Sequence, residues 1–320
     1  MRYNHSAPAV SLGDKLKAAA RNQSVDVNTA ASRHVGERFV HHLQSVLTVP
    51  IMLTGGYLFP QHLRQTADAD IKTVRRLSNR EMQNAYKTLK PILALEGIEL
   101  HEFSREPSII AIAYGEPVDR YYIKATCGTI RGNTNIDISS GNTPGSFPRD
   151  VAWRDIPSIM KGGPVLRARC QPLAAAAAEK LLAVLMQPSS DGRVKHFADI
   201  ANERLWDGID CRQVATELTR ICGNRGIPMS VCAERSPALA WTAVSAREAE
   251  WAKHMAAGKT TVTLDRAWLD VCAIWAEVHA ELRSAVILDF RRPNSKTPLA
   301  DKLLASCERK QAVYKPSPRE

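Results

Sequence analysis

Residues 50–72 read PIMLTGGYLFPQHLRQTADADIK and combine a pair of glycines with two closely spaced aspartates. A short apolar run ends in Gly55-Gly56, and two aspartates one residue apart, Asp68 and Asp70, follow further along. Because residues two apart in a strand point to the same face, their carboxylates would lie side by side, which suits a hard divalent cation such as Mg²⁺. The paired glycines would let backbone N–H groups approach a phosphate without obstruction by a Cβ. The stretch therefore indicates metal-dependent phosphoryl or nucleotidyl transfer.

Two aspartates alone are also common in a solvated loop. A third carboxylate elsewhere in the chain would therefore strengthen the prediction of a metal site. Residues 134–141 read TNIDISSG, in which Ile136 and Ile138 alternate with polar neighbours. This period of two predicts a half-buried strand, with Asp137 on the face opposite the isoleucines. A carboxylate that faces away from the core is what a third ligand requires. The alternative for this aspartate is a solvated strand residue beside Asn135.

The aspartates Asp68, Asp70 and Asp137 are the predicted metal ligands and catalytic carboxylates. Two Mg²⁺ ions roughly 3.5–4 Å apart would suit such a set, with Mn²⁺ as the alternative ion. One ion would lower the pKa of an attacking hydroxyl, and the other would neutralise charge on the leaving pyrophosphate. Magnesium is therefore the predicted cofactor.

Motifs around this core occur in a definite order. They are Glu37-Arg38-Phe39, Gly55-Gly56, 64–70 (RQTADAD), 178–181 (AEKL) and 193–200 (RVKHFADI). The series resembles the AbiEii/AbiGii-type nucleotidyltransferase toxins of abortive-infection systems, within the DNA polymerase β-like nucleotidyltransferase superfamily. The resemblance extends from about residue 14 to about residue 206. Two positions depart from the family pattern, because Thr54 stands where lysine is common and His196 replaces the first aspartate of the last motif.

The resemblance implies roles for two residues outside the metal core. Lys180 would contact nucleotide phosphates, which suits a flexible ammonium. From its sequence alone, a lysine in the helix-forming run AAAAAEKLLAVL would be a solvated surface residue. Asp199 would orient Lys180 or act as a base, although the helix dipole alone also favours an aspartate near a helix start. Both residues are predicted to be catalytic.

Two polar residues precede the metal ligands. Arg64 could grip a triphosphate, and Thr66 could organise the turn. The predicted nucleotide-binding residues are Gly55, Gly56, Arg64, Thr66 and Lys180.

Bulk composition limits the partners and the location. The chain has 320 residues and a net charge of +10, which favours polyanionic partners such as RNA, although many basic proteins bind no nucleic acid. Its 7 cysteines include no CxxC pair, and no apolar run reaches the roughly 18 residues of a membrane span. We therefore expect reduced thiols, no membrane partner and a cytoplasmic location.

The periodicity and the resemblance predict an α+β fold: a polymerase β-like nucleotidyltransferase domain with a small mixed sheet, then a helical C-terminal domain. Residues 142–163, rich in Gly, Pro and Ser, would separate a catalytic domain with N-terminal helices (1–150) from a helical domain (164–320) that completes the active site. Predicted helices lie at 12–21, 29–47, 57–63, 80–95, 173–186, 197–206, 212–224, 237–254 and 265–285. Predicted strands lie at 49–53, 69–74, 98–103, 108–114, 121–126 and 134–139.

The leading functional hypothesis is an enzyme that transfers a nucleotide from an NTP to RNA, with the tRNA 3′ end as the expected acceptor. The resemblance implies the biology: the toxin of a bacterial toxin–antitoxin or phage-defence pair, with a cognate antitoxin, that blocks translation. A protein acceptor modified at a side-chain hydroxyl is the enzymatic alternative. A non-catalytic RNA-binding module on a decayed transferase fold and a nuclease using the same carboxylates are the remaining hypotheses. Mg²⁺-dependent NTP binding would exclude the former, and RNA fragments released without NTP consumption would indicate the latter.

Overall fold

The computed structural model describes residues 7–59, 64, 66–107, 118–140, 151–187, 194–202, 205–206, 208–235, 241–256 and 260–290. The first part of the chain forms a mixed β-sheet with helices, and the second part is helical. This arrangement confirms the predicted α+β class.

The elements follow one another in two blocks. The helices of the first block are α1 (Ala7–Gln23), α2 (Val27–Val46) and α3 (Asn79–Leu95), and a 3₁₀ turn spans Gly55–Leu58. The strands are β1 (Ile51–Thr54), β2 (Ala69–Thr73), β3 (Ile98–Pro107), β4 (Val118–Cys127), β5 (Ile130–Arg131), β6 (Thr134–Ser140), β7 (Ala152–Ile156) and β8 (Leu166–Cys170). The second block comprises α4 (Leu173–Met186), α5 (Val194–Ile200), α6 (Cys211–Asn224), α7 (Met229–Glu234), α8 (Trp241–Ser245), α9 (Glu248–Ala256) and α10 (Leu264–Phe290).

The described strands form one sheet in the order β3-β4-β6-β2-β1-β8-β7, and the short β5 pairs with β4. Strand β2 runs parallel to β6, and β1 runs parallel to β8, whereas the other pairs are antiparallel. Strand β2, which carries Asp70, therefore lies in the middle of the sheet, next to β6, which carries Asp137.

The two faces of the sheet differ in chemistry. On one face, Leu53, Ile71 and Ile136 are buried in a core to which α1 contributes Leu16 and α2 contributes Phe39. Alternate residues of a strand point to opposite faces, so the residues between these positions form a second, polar face. The predicted alternation of residues 134–141 is confirmed by the burial pattern of β6.

Side-chain caps fix where two of the helices begin. Asp26 caps α2 by accepting the backbone N–H groups of Asn28 and Thr29, at 2.8 and 3.0 Å. Helix α3 begins with a reciprocal capping box, in which Ser78 and Glu81 each bind the backbone N–H of the other. Each such cap stabilises a helix by about 1 kcal/mol.

The helical block has a hydrophobic cluster of its own. Leu181 of α4, Leu218 of α6 and Trp275 of α10 are buried in it. Trp206 connects this block to the sheet, because its ring meets that of Phe59 edge-on with centroids 5.5 Å apart. Among the described residues, no helix combines the length and apolarity needed to cross a bilayer.

The prediction of an irregular boundary followed by helices only was wrong for residues 151–170, which contain β7 and β8. In β8 the buried Leu166, Ala168 and Cys170 alternate with arginines, but this period of two is too short to stand out between glycines and a helix. The sheet therefore continues beyond residue 150. The division into domains at 1–150 and 164–320 stays a prediction.

Three predicted helices differ from the observed elements. Where a helix is predicted at 57–63, residues 57–58 belong to a 3₁₀ turn, and residues 60–63 lie outside the described residues. The helix predicted at 197–206 is the shorter α5, and the described part of the one predicted at 237–254 is divided into α8 and α9. The turn begins at Gly55, whose left-handed backbone, with φ +63°, does not fit an α-helix. The strand predicted at 108–114 lies outside the described residues.

Candidate active site

Four side chains form a row across the polar face of the sheet. Asp70 of β2 is paired directly with Thr54 of β1 on one side and with Asp137 of β6 on the other. Asp137 is in turn paired with Arg120 of β4. Direct cross-strand partners point to the same face, and neighbouring strands lie about 4.8 Å apart. The strand order thus brings together two predicted metal ligands that are distant in sequence.

The glycine pair makes room for charged side chains. A Cβ on Gly55, whose φ is +63°, would lie 2.0 Å from Asp70 Oδ2. A Cβ on Gly56 would lie 2.5 Å from Arg64 Nη1 and 2.8 Å from Thr66 Cγ2. The pair therefore has a packing reason to be glycine, and its predicted contact with phosphate stays a prediction.

Asp70 lies in surroundings that oppose its charge. Burial and the nearby carboxylate of Asp137 raise the pKa of Asp70 to about 6, although Lys195, Arg64 and Lys180 act to lower it. At neutral pH Asp70 is still mostly ionised. Two neighbouring carboxylates that are poorly solvated repel each other, and a cation between them would remove this repulsion.

Arg120 holds the third predicted ligand. Its Nε donates to Asp137 Oδ1 at 2.8 Å, and its Nη2 donates to Asp137 Oδ2 at 2.7 Å. This bidentate contact and the charges of Asp137, Asp68 and Asp70 raise the pKa of Arg120, so it stays protonated. Each oxygen of Asp137 keeps a further lone pair for a cation, but the positive charge of Arg120 lies beside the place such a cation would take.

Asp68 lies just before β2, beside Asn135 of β6. Asn135 Nδ2 donates a hydrogen bond to Asp68 Oδ1 at 3.2 Å. The preceding carbonyl of Ala67 accepts hydrogen bonds from Tyr57 Oη at 2.9 Å and from Thr134 Oγ1 at 2.7 Å. These contacts fix the turn that presents Asp68 next to the strand.

The motif at residues 37–39 supports this turn from α2. The Arg33 guanidinium donates to Glu37 Oε1 at 2.7 Å, with both side chains fully buried. It also lies 3.6 Å from the centre of the Tyr57 ring, which binds the carbonyl before Asp68. Phe39 belongs to the core beneath the sheet. The motif therefore contributes packing and a buried ion pair.

Lys180, Asp199 and Arg64 form a buried ionic cluster. Lys180 Nζ donates to Asp199 Oδ2 at 2.6 Å, and Arg64 Nε donates to Asp199 Oδ1 at 3.1 Å. Burial opposes the charge of Asp199, but Lys180 and Arg64 outweigh it and hold the pKa of Asp199 well below its usual range. Burial also lowers the pKa of Lys180. The structure thus brings together three residues that the sequence placed in separate motifs.

The cluster belongs to the same site as the carboxylates. Lys180 and Arg64 both act on the charge of Asp70, and so does Lys195, which is exposed in the first turn of α5. Trp206 Nε1 donates to the Asp199 backbone carbonyl at 2.8 Å and so secures the end of α5. An anionic pair on the sheet therefore lies close to cations carried by the helical block and by Arg64.

A divalent cation fits part of the predicted ligand set. Mg²⁺ is usually held by one or two carboxylates together with water and substrate phosphates, and Asp68 and Asp70 can provide such carboxylates. Within the described residues, however, no three His, Cys, Asp or Glu side chains converge into a ready-made cation site. The predicted three-carboxylate set is therefore not preassembled in the described part of the chain, where Asp137 is paired with Arg120. The residues therefore fit a cation held by Asp68 and Asp70.

Three residues of the site were not predicted from the sequence. Arg120 lay just outside the predicted strand at 121–126, although the alternation of β4 continues back to residue 118. The sequence indicates Asn135 only as a neighbour of Asp137, and Tyr57 falls in a predicted helix. A longer window of period two would have found Arg120, whereas the partner of Asn135 depends on the pairing of β2 with β6.

Two solved structures from Helicobacter pylori are similar to this chain in outline. One, to which a nucleotidyltransferase activity has been ascribed, is 13% identical with a TM-score of 0.42, and the match covers 88% of this chain and 98% of that chain. The other, JHP933, is 12% identical with a TM-score of 0.41, and the match covers 90% and 99%. Similarity at this level carries no information on activity. No curated protein matches the chain.

The sequence itself identifies the family. Residues 44–270 match the family described as "Nucleotidyl transferase AbiEii toxin, Type IV TA system". This range is more than half of the chain and includes every predicted site residue, from Gly55 to Asp199. The chain therefore belongs to the AbiEii nucleotidyltransferase toxin family, as the motifs predicted. It is a nucleotidyltransferase of the toxin class, and a toxin of a toxin–antitoxin system implies an antitoxin as its partner.

Proposed function

We propose that this chain transfers a nucleotide from an NTP to RNA in a Mg²⁺-dependent reaction, that the acceptor is the 3′ end of tRNA, and that the transfer blocks translation. The observation that supports this most is the placement of Asp70 and Asp137 beside the buried cluster of Lys180, Asp199 and Arg64. Nucleotidyl transfer needs cationic side chains and carboxylates at one place. The cationic side chains bind the anionic triphosphate, and the carboxylates bind the divalent cation that accompanies it.

The cationic residues of the site are proposed to bind the triphosphate. Lys180 is held at 2.6 Å by Asp199, so its ammonium is fixed in position before a substrate arrives. Arg64 is bound to the same carboxylate and packs against Gly56. A fixed cation stabilises charge on a phosphate without the entropy loss of ordering a free side chain. These two residues are proposed to bind and orient the triphosphate.

The carboxylate side is proposed to bind the metal. Asp68 and Asp70 would hold the cation. Asp137, which is held in place by Arg120, would contribute a further negative charge beside it. When bound, the cation would neutralise phosphate charge and lower the pKa of the attacking hydroxyl. Gly55 keeps Asp70 pressed against the backbone that leads into the 3₁₀ turn, which fixes where the carboxylate points.

The proposed reaction is a single substitution at phosphorus. The oxygen of the acceptor hydroxyl forms a bond to the α-phosphorus, and the bond from that phosphorus to the bridging oxygen of the β-phosphate breaks. Pyrophosphate leaves with the electron pair, and the hydroxyl proton passes to water. The chain itself forms no covalent bond in this scheme.

RNA is the proposed acceptor because of charge. The chain carries a net charge of +10, which attracts a polyanion more strongly than a typical protein surface. Transfer of this kind would take place in the cytoplasm, where tRNA and NTPs are present. A cognate antitoxin would regulate the enzyme, and phage infection could trigger its release from the antitoxin.

The test is to incubate the pure chain with total tRNA, Mg²⁺ and each α-labelled NTP in turn, and to separate RNA from protein. We expect label in RNA, with one NTP preferred, and none with the Asp70→Asn variant. Label on protein alone would replace the RNA acceptor by a protein acceptor. RNA fragments without label would indicate a nuclease, and no Mg²⁺-dependent NTP binding would indicate a decayed transferase.

A further inference from the structure

The edge of the sheet beyond β1 carries an exposed aromatic side chain among basic ones. Trp153 of β7 is 51% exposed, and among the described residues no other Phe, Tyr or Trp is exposed to this degree. Its direct cross-strand partner is Arg169 of β8, whose guanidinium carbon lies 5.5 Å from the centre of the indole ring. The two side chains form a cation–π pair that presents an aromatic ring and a positive charge together to solvent.

The surroundings of this tryptophan are basic. Arg167 and Lys161 are exposed in the same hairpin, and together with Trp153 and Arg169 they form what we name the hairpin patch. The one acidic residue between 151 and 170 is Asp155, which lies 3.7 Å from Arg167 in a loose, exposed ion pair. The patch therefore keeps a net positive charge.

The register of the sheet places the patch on the same face as the carboxylates. Cys170 of β8 is paired with Leu53 of β1, and both point into the core. Arg169 therefore points to the opposite face, which is the face of Asp70, and Trp153 points there with it. Strand β8 is two strands from β2, and β7 is three, so at about 4.8 Å per strand Arg169 and Trp153 lie about 10–15 Å from β2 across the sheet, and Arg167 and Lys161 lie further along the hairpin.

We propose that the hairpin patch binds a single-stranded segment of the RNA acceptor, with a base stacked on Trp153 and phosphates at Arg169, Arg167 and Lys161. The inference rests on the proposed function and extends it by assigning a binding surface to the acceptor. Proteins that bind single-stranded nucleic acid combine a basic track with aromatic platforms, and every base offers a face to stack on. Charge complementarity favours a polyanion over an apolar protein partner at this edge.

The test measures RNA binding separately from catalysis. A fluorescein-labelled 12-nucleotide single-stranded RNA is titrated with the full chain, without NTP, and fluorescence anisotropy is followed between 50 and 200 mM salt. Stacking of one base is worth about 1–3 kcal/mol, so Trp153→Ala should weaken binding roughly 5- to 150-fold, and Trp153→Tyr should recover most of it. Arg169→Ala should weaken binding and reduce the slope of log K against log salt by about 1.

Two surface variants serve as matched controls. Leu95→Ala removes an apolar side chain that is 83% exposed, and Arg212→Ala removes a basic one that is 79% exposed, both away from the hairpin. Neither should change RNA affinity more than about twofold, since neither lies in the patch. Thermal melting of each variant confirms that it is folded.

The outcomes separate this inference from the proposed function. Equal affinities for the wild type, Trp153→Ala and Arg169→Ala would overturn the inference, even if RNA were labelled by all three, and so would a wild type that does not bind the RNA. If the patch variants lose RNA binding while no RNA is ever labelled, the surface stands and the proposed function fails.

Discussion

Gly55 and Asp70 are packed so closely that a Cβ at position 55 would lie 2.0 Å from Asp70 Oδ2 and 2.7 Å from its Cγ. No side chain other than hydrogen fits between the backbone of the 3₁₀ turn and this carboxylate. The direction in which Asp70 points is therefore set by a residue 15 positions earlier in the sequence, directly after the neighbouring strand β1, and not only by its own strand.

Gly55→Ala should remove most of the activity by displacing Asp70. Misplacement of a reacting group by about 1 Å can cost on the order of 100-fold in rate. Gly226→Ala is the matched control, because Gly226 has the same φ of +63° but no atom within 4 Å of its missing Cβ. Both variants should lose about 1–2 kcal/mol of stability from backbone strain, which denaturant unfolding measures.

Only the Gly55 variant should lose label transfer to RNA. If the two alanine variants kept the same activity, the close contact between Gly55 and Asp70 would not contribute to catalysis.

Arg120→Gln should tighten the binding of a divalent cation. Arg120 binds both oxygens of Asp137, and its positive charge lies beside the proposed cation site. Removing that charge and freeing Asp137 should strengthen Mn²⁺ binding about tenfold or more. Isothermal titration calorimetry with Mn²⁺ alone measures this directly, and the number of ions bound per chain shows whether a second site opens.

Arg76→Gln is the control for the loss of one positive charge. Arg76 makes an equivalent bidentate contact with Asp119, at 2.8 and 2.7 Å, and Asp119 precedes Arg120 in β4 and so points to the other face. This variant should leave the Mn²⁺ affinity unchanged. An Arg120→Gln chain that binds Mn²⁺ no more tightly than the wild type would argue against a cation beside Asp137.

Lys180 and Asp199 should be strongly coupled in a double-mutant cycle. Their side chains are each 8% exposed and 2.6 Å apart, so removing either one leaves a buried charge with too few partners. Lys180→Met and Asp199→Asn should each cost about 3–5 kcal/mol in the free energy of unfolding. The double variant should cost less than the sum, with a coupling of about 1–3 kcal/mol from urea unfolding.

The exposed pair Arg212 and Glu281, 3.4 Å apart, gives the comparison. Its coupling should stay within about 0–1 kcal/mol, as is usual for surface ion pairs. Equal couplings for the buried and the exposed pair would mean that the Lys180 ammonium is not fixed by Asp199.

His34 should make the chain less stable in mild acid. Burial and the nearby charge of Arg38 lower the pKa of His34 to about 4, whereas in the unfolded chain it titrates near 6.5. Between these values the unfolded state binds more protons, so stability falls as the pH falls from 6.5 to 4, by at most about 3 kcal/mol.

His34→Gln removes this titration. The difference in unfolding free energy between the variant and the wild type should shift in favour of the variant as the pH is lowered through this window. A difference that is constant from pH 7 to pH 4 would contradict the assignment.

The carboxylate side of the site could be predicted from the sequence because it follows a local rule. The placement of Asp70 and Asp137 on the polar face needs only the period of a strand, whereas Asp68 lies just before β2 and is held by Asn135. That Asp70 and Asp137 are direct neighbours does not follow from this rule, because it depends on β2 and β6 being adjacent and in register.

The cationic side depended on the family resemblance. A lysine in an alanine-rich helix has no local feature that distinguishes it from a surface residue, yet Lys180 is buried against Asp199. The contact joins α4 to α5 and is not encoded in either segment alone. Arg120 differs, since the period of two in β4 extends to it, and only its partner on another strand lies beyond local reasoning.

The edge strands were missed because they are short and interrupted. Strand β8 has five residues, of which Arg167 and Arg169 break any apolar run, and its pairing with β1 is set by tertiary contacts. The hairpin patch could therefore be recognised only after the sheet order was known.

The most direct test of the central claim is the mass of tRNA after incubation with the chain, Mg²⁺ and NTPs. Mass spectrometry of the 3′-terminal fragment compares the wild type with Asp70→Asn and with the exposed control Asp14→Asn, whose side chain is 71% exposed in α1. The account predicts a mass increase of whole nucleotides at the 3′ end with the wild type and the control, and none with Asp70→Asn. An unchanged 3′ fragment with the wild type, or equal addition by the Asp70 variant, would contradict it.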